Sequence, residues 1–325
     1  MEQTSLKKRI IRGSVNNKAV LLTLFLCLVL ALSTQGKFLT ATNLLNVVRQ
    51  NCIMAVMAIG FTAVLASGFF DLSIGYMLGT VGVIGAILMK TEGLPFPFAL
   101  LLTLVIGGAF GFINSLLIRR FDLPPFIVTL STGQIFRGMT YLLSDGTPIS
   151  GLPSQLITIG QGYFLGIPIP IYMMLAVGII LSVIMGWTSV GRHIIAVGGN
   201  REASRVSGIN VVKVQHVVYT IMGICVSIAA ILMNGRTASA QPTAGVGMEM
   251  DAIAAVVIGG TPLSGGYGNV FGSVFGCLIV GLINNGLNLL NVNSYWQWIV
   301  KGVVILLAMI LDGQTTRLLN KLGKK

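Results

Sequence analysis

Six side chains that favour water stand in stretches that otherwise favour oil: Asp71, Asn114, Gln134, Arg137, Asn284 and Asn285. Gln241 adds a further amide just ahead of another apolar run. A charge at mid-bilayer costs about 2.5–3.5 kcal/mol on insertion scales, so each such group calls for a reason. Gln134 and Arg137 are three residues apart and share one helical face. Together these donors and acceptors could line a polar path through the membrane. The competing use is hydrogen bonding between helices, about 0.6 kcal/mol per contact in membranes. Asp71 could equally pair with a basic group, and it or Ser73 is a ready cap for the helix that follows.

Covalent chemistry is poorly provided for. His193 and His216 stand alone, and no convergent acids accompany them. Cys27, Cys52, Cys225 and Cys277 lie in or beside apolar runs without metal-ligand spacing, which reads as reduced, apolar thiols. Gly36-Lys37 and Gly323-Lys324 lack the rest of a phosphate-binding loop. The expectation is a chain that is no enzyme and carries neither cofactor nor metal.

The elements that position these residues follow from composition. Of 325 residues, 54% are hydrophobic and 9% charged, and the mean hydropathy is +0.88. Soluble domains carry about 25% charged residues, so the chain is an all-α polytopic membrane protein with lipid around it. The net charge of +12 gives no nucleic-acid signal, because the basic residues sit at the ends of apolar segments. A span needs roughly 20 apolar residues. Ten candidates follow: Ala19–Thr34, Cys52–Ser67, Ile74–Met89, Phe96–Ile118, Phe126–Leu143, Ile169–Trp187, Gln215–Leu232, Asp251–Leu263, Val270–Ile283 and Tyr295–Leu311. The first is read as a retained span rather than a cleaved signal, since apolar segments continue behind it.

With the N-terminus inside, fifteen basic residues fall on the inner side: Lys7, Lys8, Arg9, Arg12, Lys18, Arg119, Arg120, Arg192, Arg201, Arg205, Lys213, Arg317, Lys321, Lys324 and Lys325. Four fall outside: Lys37, Arg49, Lys90 and Arg236. This bias predicts an even number of spans with both termini cytoplasmic. The chain then reads as one membrane domain, 1–325, with a basic cytoplasmic N-terminus (1–18), a cytoplasmic loop (188–214) and a basic cytoplasmic tail (313–325). Lys301 snorkels near an interfacial belt of Tyr295, Trp296 and Trp298.

Segment eight runs into Gly259–Gly268, which a regular helix does not continue through, so a short or broken helix inside the bundle is predicted. Gly75/Gly79, Gly107/Gly111 and Gly272/Gly276 are spaced for close helix contact, chiefly within this bundle. Gly111-Phe112-Ile113-Asn114 and Gly281-Leu282-Ile283-Asn284 lie five segments apart, a faint echo of an inverted repeat.

The inner stretch Gly198–Ile209 is polar and basic. Gly198-Gly199 predicts a turn, Asn200 a helix cap, Glu202–Val206 a short helix, and Ser207-Gly208 its stop. It is either a solvated loop that fixes orientation or a docking helix. Here the chain resembles the sugar-importer permeases of ATP-binding-cassette (ABC) systems, the ribose-type family in particular, from about Asn43 to Asp312. Glu202-Ala203-Ser204 with Gly208 looks like the Glu-Ala-Ala…Gly coupling loop, with Ser204 for the second alanine. Ser67–Gly75 is similar to the family's Ser-Gly-x-x-Asp-Leu-Ser-x-Gly stretch. Ala240–Gly245, continuing through Glu249 and Asp251 to Gly259-Gly260-Thr261, looks like its most specific signature, with Pro262 where serine is usual.

The resemblance implies a type II-like importer permease bundle in a bacterial cell membrane. It implies coupling through Asn200, Arg201, Glu202, Ala203, Ser204 and Gly208, and a monosaccharide as cargo. It further implies a second permease subunit, cassette ATPases holding ATP and magnesium, and an extracytoplasmic sugar-binding protein. The outer segment Ser144–Pro168 is open to three uses: capping the path, touching that binding protein, or serving as an ordinary surface connection. Two rivals remain at this point. A stand-alone secondary transporter or channel would use mid-membrane carboxylates, yet the acids other than Asp71 fall at predicted span ends. A membrane enzyme would need the clustered groups that are missing.

Overall fold

The computed structural model describes residues 18–293, 295–300, 302–304, 306, 307 and 310. Lys301, the N-terminal residues before Lys18 and the tail expected at 313–325 lie outside the described residues. Helices dominate in chain order: α1 (Lys18–Ser33), α2 (Ala41–Ala66), α3 (Ile74–Lys90), α4 (Phe96–Arg120), α5 (Pro125–Ser144), α6 (Ser154–Gln161), α7 (Ile169–Trp187), α8 (Ser189–Gly199), α9 (Arg201–Val206), α10 (Val211–Thr237), α11 (Met248–Ile258) and α12 (Val270–Leu289). Residues 295–300 are again helical. By length and composition α2, α4, α7, α10 and α12 are each able to cross a membrane. The chain is therefore a helical, multi-pass membrane protein.

α2 is the axis of the bundle. Every residue from Cys52 to Ser67 is buried, as a helix apolar on all sides demands. α7, α8, α10, α11 and α12 pack around it. α2 begins at Ala41, well before the apolar run at Cys52. Asn43, Asn46, Arg49, Gln50 and Asn51 hide its first turns from a hydropathy criterion while leaving them helical. α10 exceeds its predicted span at both ends for the same reason, with Lys213, Asn234 and Arg236 inside it.

Glycine sets the close crossings. A Cβ at Gly111 would overlap the Tyr219 carbonyl oxygen, and one at Gly223 the Gly107 carbonyl oxygen, so α4 and α10 meet backbone to backbone. Gly276 meets the Ala255 carbonyl, and Gly75 and Gly79 meet the segment around Ala244–Gly245. All three Gly-x-x-x-Gly pairs thus serve contacts within the chain.

α11 is short and buried, as expected, but its interruption also lies upstream of the predicted place. Between α10 and α11 the chain is non-helical from Ser239 to Gly247, with Gly245 and Gly247 at φ +83° and +84°. Ser239-Ala240 (β4) pairs antiparallel with Ile149-Ser150 (β1). Ala244 and Gly245 then descend against α3. Non-helical backbone packed against a neighbouring helix in this way is tolerated inside a bundle and not against lipid.

Candidate functional site

The seven residues Ser67–Ser73 link α2 to α3 and form a junction held from four sides. Tyr219 of α10 donates its hydroxyl to the Phe70 carbonyl at 2.6 Å. The Leu72 N–H donates to Thr129 Oγ1 of α5 at 3.1 Å. Asn114 Nδ2 of α4 donates to Ser73 Oγ at 2.8 Å. Asp71 Oδ1 accepts from the Ser73 N–H at 2.9 Å and from its hydroxyl at 2.6 Å. The fourth side is α9, whose Arg201 donates to the Gly68 carbonyl at 2.8 Å and lies 4.3 Å over the Phe69 ring.

Asp71 and Asn114 are fully buried in this junction. Of the uses open to Asp71 and Ser73, capping is not taken: no side-chain hydrogen bond caps the first turn of α3. The Asp71 carboxylate is instead turned back onto Ser73, the residue that Asn114 holds. A carboxylate accepting two short hydrogen bonds in a buried site strengthens both of them.

α9 is an exposed shelf on the same face. Asn200 Oδ1 accepts from the Ala203 N–H at 2.9 Å, the predicted cap. Gly208, at φ +82°, ends the turn where an L side chain is strained. Ser204 is buried, while Arg201, Glu202, Ala203, Arg205 and Val206 are exposed, Val206 to 87%. Glu202 and Arg205 form a solvent-facing pair at 3.8 Å.

The predicted turn at Gly198-Gly199 does not form, since α8 runs through both residues. The glycine is needed for another reason. A Cβ at Gly198 would overlap the Ala66 carbonyl oxygen, which also accepts from the Gly266 N–H at 2.9 Å. The end of α2, the end of α8 and the loop after α11 therefore meet at one glycine-lined point.

The remaining predicted residues do not gather on one path. Gln134 and Arg137 are exposed on α5, with Arg137 5.8 Å over the Tyr76 ring. Gln241 donates to Ser239 Oγ at 2.8 Å, beside the β1–β4 pair. Asn285 exchanges amide hydrogen bonds with Asn43 at 2.8 and 3.1 Å, tying α12 to α2. Asn284 is half-buried beside it.

Sequence reasoning missed Thr129 and Tyr219, which look like ordinary core residues of α5 and α10 and carry no local signal. Glu249 and Asp251 do lie at a helix end, as the sequence suggested, but their burial was not foreseen. Both are buried, 9% exposed, in the first turn of α11, where the helix dipole favours carboxylates. Their presence within a Gly- and Ala-rich apolar stretch was the available signal.

A family model described as "Branched-chain amino acid transport system / permease component" matches residues 43–309. The ribose import permease protein RbsC of Bacillus subtilis is 42% identical over 95% of this chain and 97% of its own length. That of Haemophilus influenzae is 41% identical over 89% and 88%. The D-allose transport system permease protein AlsC of Escherichia coli is 39% identical over 87% and 86%. No solved structure matches.

Proposed function

The chain belongs to the branched-chain amino acid transport system / permease component family, and from that premise we propose that it is the transmembrane permease subunit of an ATP-driven ABC importer for a monosaccharide. The names of its relatives, ribose and allose permeases among them, support the cargo class. The observation that carries the mechanism is the exposed, capped α9 fastened through Arg201 to the Ser67–Ser73 junction.

The permease performs no covalent step. Cassette ATPases, which hold ATP and magnesium, grip α9 from the cytoplasm. Their closure moves α9, and the junction passes that displacement to α4, α5 and α10 at once. Asn200 and Gly208 define the ends of the gripped helix, Glu202, Ala203, Arg205 and Val206 its contact face, and Arg201 and Ser204 its seat.

In this proposal the α9 face is cytoplasmic and the chain crosses the bacterial membrane ten times with both termini inside. Arg119, Arg120, Arg192, Arg201, Arg205 and Lys213 on that face support the orientation. The path lies between two permease subunits, along the exposed face of α5. That face carries Ser131, Gln134 and Arg137, which lipid would penalise. An extracytoplasmic binding protein delivers the sugar to the opposite side.

The test uses the permease reconstituted with a cassette ATPase and an extracytoplasmic sugar-binding protein. Gly208→Val and Glu202→Lys lower sugar uptake per ATP hydrolysed while the protein remains assembled in the bilayer. Unchanged uptake in both variants refutes the mechanism.

A further inference from the structure

On the face opposite α9, Tyr163-Phe164 (β2) pairs antiparallel with Ile167-Pro168 (β3) to make a hairpin that leads directly into α7. Its two-residue turn is Leu165-Gly166, with φ +50° and +77°. Tight hairpin turns of this hand favour asparagine or aspartate followed by glycine, because the first position is left-handed. Leucine is a poor choice there on backbone grounds. It is poor on solvation grounds too, since Leu165 is 84% exposed, and Phe164, Tyr163 and Ile167 are 59%, 56% and 43% exposed. Two local rules are broken at one position, which calls for a compensating contact outside the chain.

The chemistry of that contact follows from the neighbourhood. From Gly146 to Gly191 there is no aspartate, glutamate, lysine or arginine. A surface made to dock a soluble partner commonly carries a polar, charged rim; here the segment supplies no charge of its own, and the cation at its base, Arg49, is taken up by the Tyr163 ring and the Gln161 carbonyl. The hairpin is also fixed at a particular height. The Tyr172 hydroxyl, in the first turn of α7, donates to the Phe164 carbonyl at 3.0 Å, and the two rings meet edge-on at 5.8 Å. Arg49 lies 4.8 Å over the Tyr163 ring and donates to the Gln161 carbonyl at 3.0 Å, bracing the base.

α7 has 19 residues, about 28 Å at 1.5 Å each, close to the roughly 30 Å hydrocarbon core of a bilayer. Its exposed face is apolar, with Leu175, Ile179, Ile180 and Val183, and it ends at the 84% exposed Trp187. The hairpin therefore continues a lipid-facing surface at the level where aromatic side chains settle among headgroups.

We propose that the Tyr163–Pro168 hairpin is a lipid anchor, with Phe164 and Leu165 inserted into the leaflet opposite α9. Its occupant is phospholipid. A binding protein or a second permease subunit is the outcome that would overturn it. The anchor fixes the height of α6, whose Gly160 packs backbone to backbone on Gly235 near the end of α10. The inference rests on the membrane setting of the helices and not on the cargo or the ATPase, so it survives the failure of either.

The experiment places an environment-sensitive nitrobenzoxadiazole dye on Leu165→Cys of the full-length chain in phospholipid nanodiscs, without other proteins. The expected result is blue-shifted emission, loss of most of it to lipids carrying a nitroxide high in the acyl chain, and little quenching by aqueous iodide. Water-like emission that iodide quenches and nitroxide lipids leave intact overturns the proposal. A photoreactive phenylalanine analogue at Phe164 provides a second readout that does not depend on the Leu165 variant. An adduct of phospholipid mass supports the anchor, and adducts to protein alone overturn it.

Discussion

Replacing Arg201 with alanine removes one hydrogen bond to the Gly68 carbonyl and one stacking contact on Phe69. A hydrogen bond from a charged donor contributes about 1.5–3 kcal/mol, and a cation over an aromatic ring at an exposed site about 0.5–1 kcal/mol. Arg201 is exposed, so water competes for the guanidinium and the lower values apply. The sum is then about 2 kcal/mol, roughly a 30-fold change in the equilibrium for releasing α9 from the junction. Hydrogen exchange reads that equilibrium locally. Amides of Ala203–Gly208 and of Gly68–Asp71 exchange faster in Arg201→Ala by up to that factor, while those in the middle of α2 do not change. Arg201→Lys recovers part of the loss, since an ammonium keeps the charge but stacks poorly. Adding Phe69→Leu to Arg201→Ala costs less than it does alone, because the ring has already lost its cation. Equal exchange in wild type and Arg201→Ala across both segments, or strict additivity with Phe69→Leu, refutes the latch.

Three further outcomes are expected. Gly223→Val forces a side chain onto the Gly107 carbonyl, where backbone cannot yield. Overpacking costs about 1–3 kcal/mol, so its thermal midpoint in detergent falls, whereas Gly138→Val, with open space around it, leaves the midpoint nearly unchanged. Asp71→Ala strips the acceptor from the buried Ser73 N–H and hydroxyl, a loss of about 1–3 kcal/mol for each unsatisfied group. Its melting temperature falls further than that of Asp71→Asn, which keeps an oxygen, and equal melting of the two would argue against the junction. Ala203→Cys reacts with a membrane-impermeant maleimide in inside-out vesicles and not in intact cells. Labelling from outside would reverse the assigned orientation.

Hydropathy located the spanning helices where apolar runs and helices coincide, as at Ile169–Trp187, whose limits match the prediction. It failed where polar residues interrupt the apolar pattern without ending the helix, which is why α2 and α10 came out short. The Asn200 cap and the Gly208 stop were legible because both act within a few residues. The Ser67–Ser73 junction was legible only in part. Asp71 and Asn114 announced themselves as polar groups in apolar surroundings, but Thr129 and Tyr219 meet the junction through main-chain atoms of residues far away in sequence. Gly198 carried the right residue for a different reason than the one inferred. Its missing side chain admits the Ala66 carbonyl, and no turn is made there. Asn285 was read as facing a path; the structure adds its amide exchange with Asn43, which no local signal announced.

The backbone-to-backbone crossing of α4 and α10 has a mechanical corollary. Two rods separated by flexible side chains slide or roll by swapping rotamers, but rods touching through glycine have nothing to swap. Pushing one drags the other, so the pair behaves as a single stiff beam. Any hinge that opens this protein must then lie at the beam's edges, and Gly107, Gly111 and Gly223 mark the weld.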